Sequence, residues 1–152
     1  MTDRRSQDHD DERVDRPSAE ILALRQLYEA LDRELQAIGP VCELSGRCCR
    51  FAEYGHSLFV TDLELQELFL RHGPPNEPIG ETCPYQSSTG TCEAREGRPL
   101  GCRVYFCDPT YQSVMPELTE QHHRQLVALH ERERVPYRYG EFLVMLASNS
   151  ST

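Results

Sequence analysis

Whatever chemistry this chain can do lies with its seven cysteines, Cys42, Cys48, Cys49, Cys83, Cys92, Cys102 and Cys107, and none occurs outside that window. A thiolate is a soft metal ligand and a nucleophile once its proton has left, so several converging cysteines mean metal binding, redox exchange or disulfides. The opening Met-Thr-Asp-Arg-Arg is not followed by an apolar run and reads as lacking a secretory signal. The expected compartment is therefore cytoplasmic and reducing, where a cysteine cluster points to metal or redox chemistry instead of a disulfide framework. All seven are candidate metal ligands.

Their spacing narrows the choice. Zinc fingers and ribbons use paired Cys-x₂₋₄-Cys knuckles, and the gaps here contain none, which excludes a standard finger. Irregular spacing without knuckles favours an iron–sulfur cluster over zinc. Cys48 and Cys49 are adjacent and would face opposite ways in extended chain, so both can reach one ion only if the chain turns, a turn that Gly46 eases. A vicinal disulfide between them would be strained. Cys42, Cys49, Cys83 and Cys102 form the best quartet, because they close the loops between three separated segments, leaving Cys48, Cys92 and Cys107 for exchange or a second site. Four thiolates around Zn²⁺ or a [4Fe–4S]²⁺ core leave an excess of negative charge, and Arg47, Arg50, Arg98 and Arg103 flank the cysteines as candidates to offset it. His56 is near enough in sequence to complete a mixed site. His122 and His123 are consecutive on a helix, diverge by about 100°, and read with His130 as surface or core residues.

The segment Cys42-x-x-Ser45-Gly46-Arg47-Cys48-Cys49-Arg50 resembles the opening motif of the CxxCxxCC, or YkgJ-like, cysteine-cluster family, whose members are described as zinc- or iron-chelating. Leu58 to Glu64, Cys83-Pro84-Tyr85, Gly90-Thr91-Cys92 and Arg98-Pro99-Leu100-Gly101-Cys102-Arg103 follow in the family's order. The resemblance covers about residues 41 to 107 and implies metal binding. It departs at Ser45, which stands where the motif has its second cysteine and whose hydroxyl is a poor ligand for a soft metal. Cys107 makes good that loss if Val104-Tyr105-Phe106 is a short strand that folds back towards Cys102. Related clusters also look like those of flagellin lysine N-methylases, which makes an S-adenosylmethionine-dependent protein lysine N-methylase the enzymatic alternative. No Gly-rich nucleotide loop accompanies it and no carboxylate stands out as a general base, so the chain reads as a binding protein before an enzyme.

Composition restricts the partners. A net charge of -9 and scattered arginines, with lysine absent, weigh against nucleic acid. The longest apolar run, Phe142 to Ala147, is far too short to span a bilayer.

The elements that must position the cysteines read as mainly α with irregular metal-tied loops, a small single domain in which short strands admit an α+β description. Residues 1 to 16 are too polar to order and read as a disordered tail. An amphipathic helix occupies 17 to 39, with Ser18 as N-cap and Gly39-Pro40 as stop. Its stripe of Ile21, Leu24, Tyr28, Leu31, Leu35 and Ile38 either docks in cis or forms a homodimeric coiled coil, the second making the chain a zinc-stabilised adapter. The cysteine-cluster domain spans 40 to 146. Within it Ser57 to Val60 is extended, Thr61 and Glu64 form a capping box opening a helix over 62 to 72, and 73 to 113 is a long loop that needs something besides a core to tie it down. A third helix begins near Pro116 and runs to about Arg134, with Pro136 as its stop. Phe142 to Leu146 is too short to separate helix from strand, and 147 to 152 reads as a disordered tail.

Overall fold

The computed structural model describes residues 17–40, 49, 57–76, 79–106, 108 and 110–150. Cys42, Cys48, Cys107, His56, Arg47, Arg50 and the expected tail at 1–16 lie outside the described residues. The fold is mainly helical with one small sheet. In chain order the elements are α1 (Ala19–Ile38), β1 (Phe59–Thr61), α2 (Asp62–His72), a 3-10 turn (Arg95–Gly97), α3 (Leu100–Val104), α4 (Met115–Arg132), β2 (Tyr139–Glu141) and α5 (Phe142–Ser150). Among the described residues no helix is long and apolar enough to cross a membrane.

Helix α1 carries its apolar residues at spacings of three and four, and that periodicity decides its packing. Ile21, Leu24, Tyr28, Leu31 and Leu35 are buried, joined by Leu27, against Leu63 of α2, Leu100 and Val104 of α3, and Leu118, Leu126 and Leu129 of α4. The stripe therefore docks in cis. Only Ile38, at the helix end, is left exposed. Gly39 closes α1 in the left-handed conformation with φ 73°, its N–H donating to the Leu35 carbonyl, as a C-terminal glycine should. Ser18 makes no side-chain cap; its carbonyl instead accepts from Leu22 N–H as the first helical bond.

Thr61 ends β1 and caps α2 with the reciprocal box that the sequence announces. Glu64 N–H donates to Thr61 Oγ1 at 3.2 Å and Thr61 N–H to Glu64 Oε1 at 3.1 Å. Strand β1 pairs antiparallel with β2, Phe59 opposite Glu141, Val60 opposite Gly140 and Thr61 opposite Tyr139. Nothing in the local sequence around 139 announces that strand; its partner lies almost eighty positions earlier. Once β2 is placed, Glu141 accepts from Val144 N–H at 3.0 Å and the ambiguous apolar run becomes a helix, with Phe142 and Leu146 fully buried. Helix α5 continues to Ser150, so 147 to 150 are helical and not a disordered tail.

Two apolar clusters result. The first lies between α1, α3 and α4. The second gathers Leu58, Val60, Leu65, Leu68, Tyr85, Ala94, Phe142 and Leu146 around α2, β1 and α5. Helix α4 ends at Arg132, two residues before the expected limit, because Arg134 takes the left-handed conformation with φ 56°. Pro136 follows the stop without making it.

Leu31 is fully buried, so Leu31→Asp places an unpaired carboxylate in the first cluster. It should lower unfolding free energy by at least about 3 kcal/mol in denaturant titration, and leave the hydrodynamic mass of the remaining folded protein unchanged, because the stripe is satisfied within one chain.

Candidate metal centre

The second cluster is where the described cysteines meet. Cys49 and Cys83 are buried members of it, and Cys92 and Cys102 pack against it half-buried. Cys83 N–H donates to the Cys49 carbonyl at 2.9 Å, which ties the start of the 79–93 loop to the vicinal-cysteine segment. A narrow hairpin follows. Gln86 bridges to Cys92, Glu93 N–H donates to the Tyr85 carbonyl, and Gly90 turns the chain with φ 89°. The hydroxyls of Ser87, Thr89 and Thr91 bond one another across the turn. Tyr85 fastens the hairpin to the end of α2 by donating to the Gly73 carbonyl at 2.8 Å. Burial, and then the charge of Cys83 close by, push the Tyr85 phenol well above its ordinary pKa.

Cys102 arrives from another direction, on α3. Pro99 precedes that helix in an extended conformation and its carbonyl accepts from both Cys102 and Arg103 N–H. Two glycines let this segment come close. A side chain at Gly97 would strike the His72 ring, whose Nε2 accepts from Gly97 N–H at 3.1 Å, and one at Gly101 would strike Leu58. Arg98 stands between Cys92 and Cys102 electrostatically. Burial and the like charges of Arg95 and Arg103 lower its pKa, while Cys102 and Cys92 act in the opposite sense. An ionised thiol in apolar surroundings needs a compensating cation, and Arg98, whose charge couples to Cys92 and Cys102, is a candidate.

Arg103 is not. Its three nitrogens donate to the Arg98 carbonyl at 2.7 Å, Asp32 Oδ2 at 2.7 Å and the Glu96 carbonyl at 2.5 Å, and its guanidinium lies 4.0 Å from the centre of the Tyr28 ring. It serves α1 in place of the sulfurs. Val104, Tyr105 and Phe106 are not a strand either: Val104 ends α3, where Leu100 and Val104 are drawn into the first cluster, and Tyr105 and Phe106 are irregular.

A buried carboxylate holds these parts in place. Glu64, 1% exposed, accepts from Tyr28 Oη at 2.9 Å and Leu100 N–H at 2.6 Å on one oxygen, and from Thr61 N–H and Oγ1 on the other. Burial raises its pKa, and the bonds from Leu100, Tyr28 and Thr61 partly reverse that. Its neighbour Glu67, also 1% exposed, takes a two-point bond from Arg25, at 2.7 and 3.0 Å, with Arg71 at 3.5 Å. The sequence announces Glu64 only as a cap and does not announce Glu67 at all. Hydrophobic periodicity gave a signal, because both fall on the inward face of α2 between Leu63, Leu65 and Leu68.

Of the candidate ligands, four thus collect at one cluster. The quartet that includes Cys42 is only partly placed, since that residue, like Cys48, Cys107 and His56, lies outside the described residues. Among the described residues no three His, Cys, Asp or Glu side chains stand together as a ligand set. The histidines of α4 are elsewhere: His122 is buried against Glu34 of α1 at 2.5 Å, His123 accepts from or donates to Tyr137 at 3.0 Å, and His130 is buried against the Tyr137 ring. Comparison of the chain with family models, curated proteins and solved structures gave no match.

Glu64→Gln keeps the shape but turns an amide N–H₂ towards donors, so it should destabilise the fold by about 1–3 kcal/mol. Because the Glu64 pKa is raised in the folded state, the folded protein holds its proton longer. Its contribution is complete below the unfolded carboxylate pKa and is lost as pH rises through the folded value. Unfolding free energies measured across the acid range should show that decline in the parent and not in the variant.

Proposed function

We propose that this is a cytoplasmic metal-binding protein of the cysteine-cluster type. The observation that carries the reading is the gathering of Cys49, Cys83, Cys92 and Cys102, from three separated parts of the chain, at one apolar cluster beside Arg98. Supporting it is the resemblance of residues 41 to 107 to the CxxCxxCC family, with Cys42, Cys48 and Cys107 as further candidate donors. Donor chemistry fits the same occupants, since thiolates select zinc and iron–sulfur clusters over hard cations. An iron–sulfur cluster is preferred over zinc because the spacing has no knuckle. Such a cluster supplies one-electron chemistry when bound, whereas zinc would act as a cross-link in place of a core. The chain's own part is the same in either case. Thiols from separated segments hold the group, Arg98 offsets their charge, and Leu58, Tyr85 and Phe142 keep water from one side. The adapter reading, by contrast, needs an available stripe on α1, and that stripe is buried.

Metal analysis with visible absorbance of protein purified without oxygen tests this. We expect stoichiometric metal in the parent, near-complete loss in Cys102→Ser, and a smaller loss in Cys107→Ser. A brown absorbance identifies iron–sulfur and its lack with bound zinc identifies the alternative. A parent that retains neither metal, or full content in Cys102→Ser, overturns the assignment.

A further inference from the structure

Away from the cysteines, the face where α1 meets the 95–98 segment collects guanidinium groups in a chain of net charge -9. Arg25, Arg71, Arg95, Arg98 and Arg103 line one cleft of about 330 Å³ there, together with the carboxylates Glu29, Asp32, Glu67 and Glu96. Three of them are already matched by carboxylates: Arg25 and Arg71 by Glu67, and Arg103 by Asp32. Arg95 and Arg98 are different. Among the described residues neither has a carboxylate within ion-pair distance, and the one side-chain bond of Arg98 to protein runs from Nε to the Arg95 carbonyl at 3.0 Å. Two guanidinium groups three positions apart, with the buried Arg103 behind them, repel one another. Burial first, and then the like charges of Arg95 and Arg103, lower the Arg98 pKa.

A second cavity of about 430 Å³ shares Asp32, Arg98 and Arg103 with this cleft and adds Leu35, Gln36, Gly39, Pro40 and Phe106. One end therefore has a small excess of guanidinium groups, with Arg95 and Arg98 not matched by a carboxylate among the described residues, and the other adds apolar walls. We propose that this double cleft binds a small phosphate monoester, its phosphate on Arg95 and Arg98 and its organic body over Leu35, Pro40 and Phe106. Guanidinium forks match phosphate oxygens two at a time. Bare phosphate would fill only the guanidinium end, and the apolar walls supply the reason for an attached body. Among the described residues no cysteine lines either cavity, and Arg98 is shared with the metal reading while Arg95 is not, so Arg95→Gln separates the two.

Calorimetric titration of the full chain with phenyl phosphate, inorganic phosphate and phenol tests it. Phenyl phosphate should bind one to one and more tightly than either of the others. Arg95→Gln and Arg98→Gln should each weaken it at least about tenfold, the loss of one charge-assisted bond. Phe106→Ala should weaken phenyl phosphate and leave inorganic phosphate unchanged. Circular dichroism and melting confirm folding, and Arg95, which is exposed, decides alone if Arg98→Gln does not fold. No binding of phenyl phosphate, equal binding by Arg95→Gln, or equal affinity for phenyl and inorganic phosphate overturns the proposal.

Discussion

One buried carboxylate sets the relation of three helices. Glu64 lies inside the protein, where an unsatisfied charge would cost several kcal/mol, and four donors meet it from three directions. Tyr28 fixes α1, Thr61 fixes the corner between β1 and α2, and Leu100 N–H fixes the first residue of α3. None of these donors can leave without exposing the carboxylate to an unmatched environment. Because α3 is only five residues long, it has little helical stability of its own. Its place is determined by Glu64 below and by Arg103 at its side.

That short helix divides the molecule. Consecutive residues on a helix point about 100° apart, so Arg103 faces α1 while Cys102 faces the second apolar cluster. On the α1 side the contacts are charged and hydrogen-bonded, with Glu67 between Arg25 and Arg71, and Arg103 between Asp32, Tyr28 and two carbonyls. On the other side are thiols among Leu58, Tyr85 and Phe142. Arg98 sits at the boundary, under the influence of Cys92 and Cys102 on one side and of Arg95 and Arg103 on the other.

Local patterns made much of the framework legible. The three-and-four spacing along α1 and the Thr61–Glu64 box need only neighbouring residues to be expressed, and both have their expected structure. Misses occurred where a short segment depends on a distant partner. Residues 104 to 106 carry β-forming side chains, yet burial of Leu100 and Val104 against α1 and α4 makes the first of them helical. Phe142 to Leu146 could be either, and pairing of 139–141 with β1 settles it. Ser18 has the right type for a cap, but side-chain capping needs a rotamer that sequence does not fix.

The sequence by itself determined the inventory of seven thiols and the helices long enough to be set by their own periodicity. It also put arginines beside the cysteines. Only the tertiary structure decided that Arg103 turns to Asp32 and Tyr28, while Arg98 feels the charge of Cys92 and Cys102. It alone brought Cys49, Cys83, Cys92 and Cys102 to one cluster, and it alone made Glu64 a junction in addition to a cap. The reason is that periodicity and capping act over one or two turns of chain, whereas the direction of a charged side chain is chosen by groups dozens of positions away, through burial and hydrogen bonds that exist only once the helices have packed.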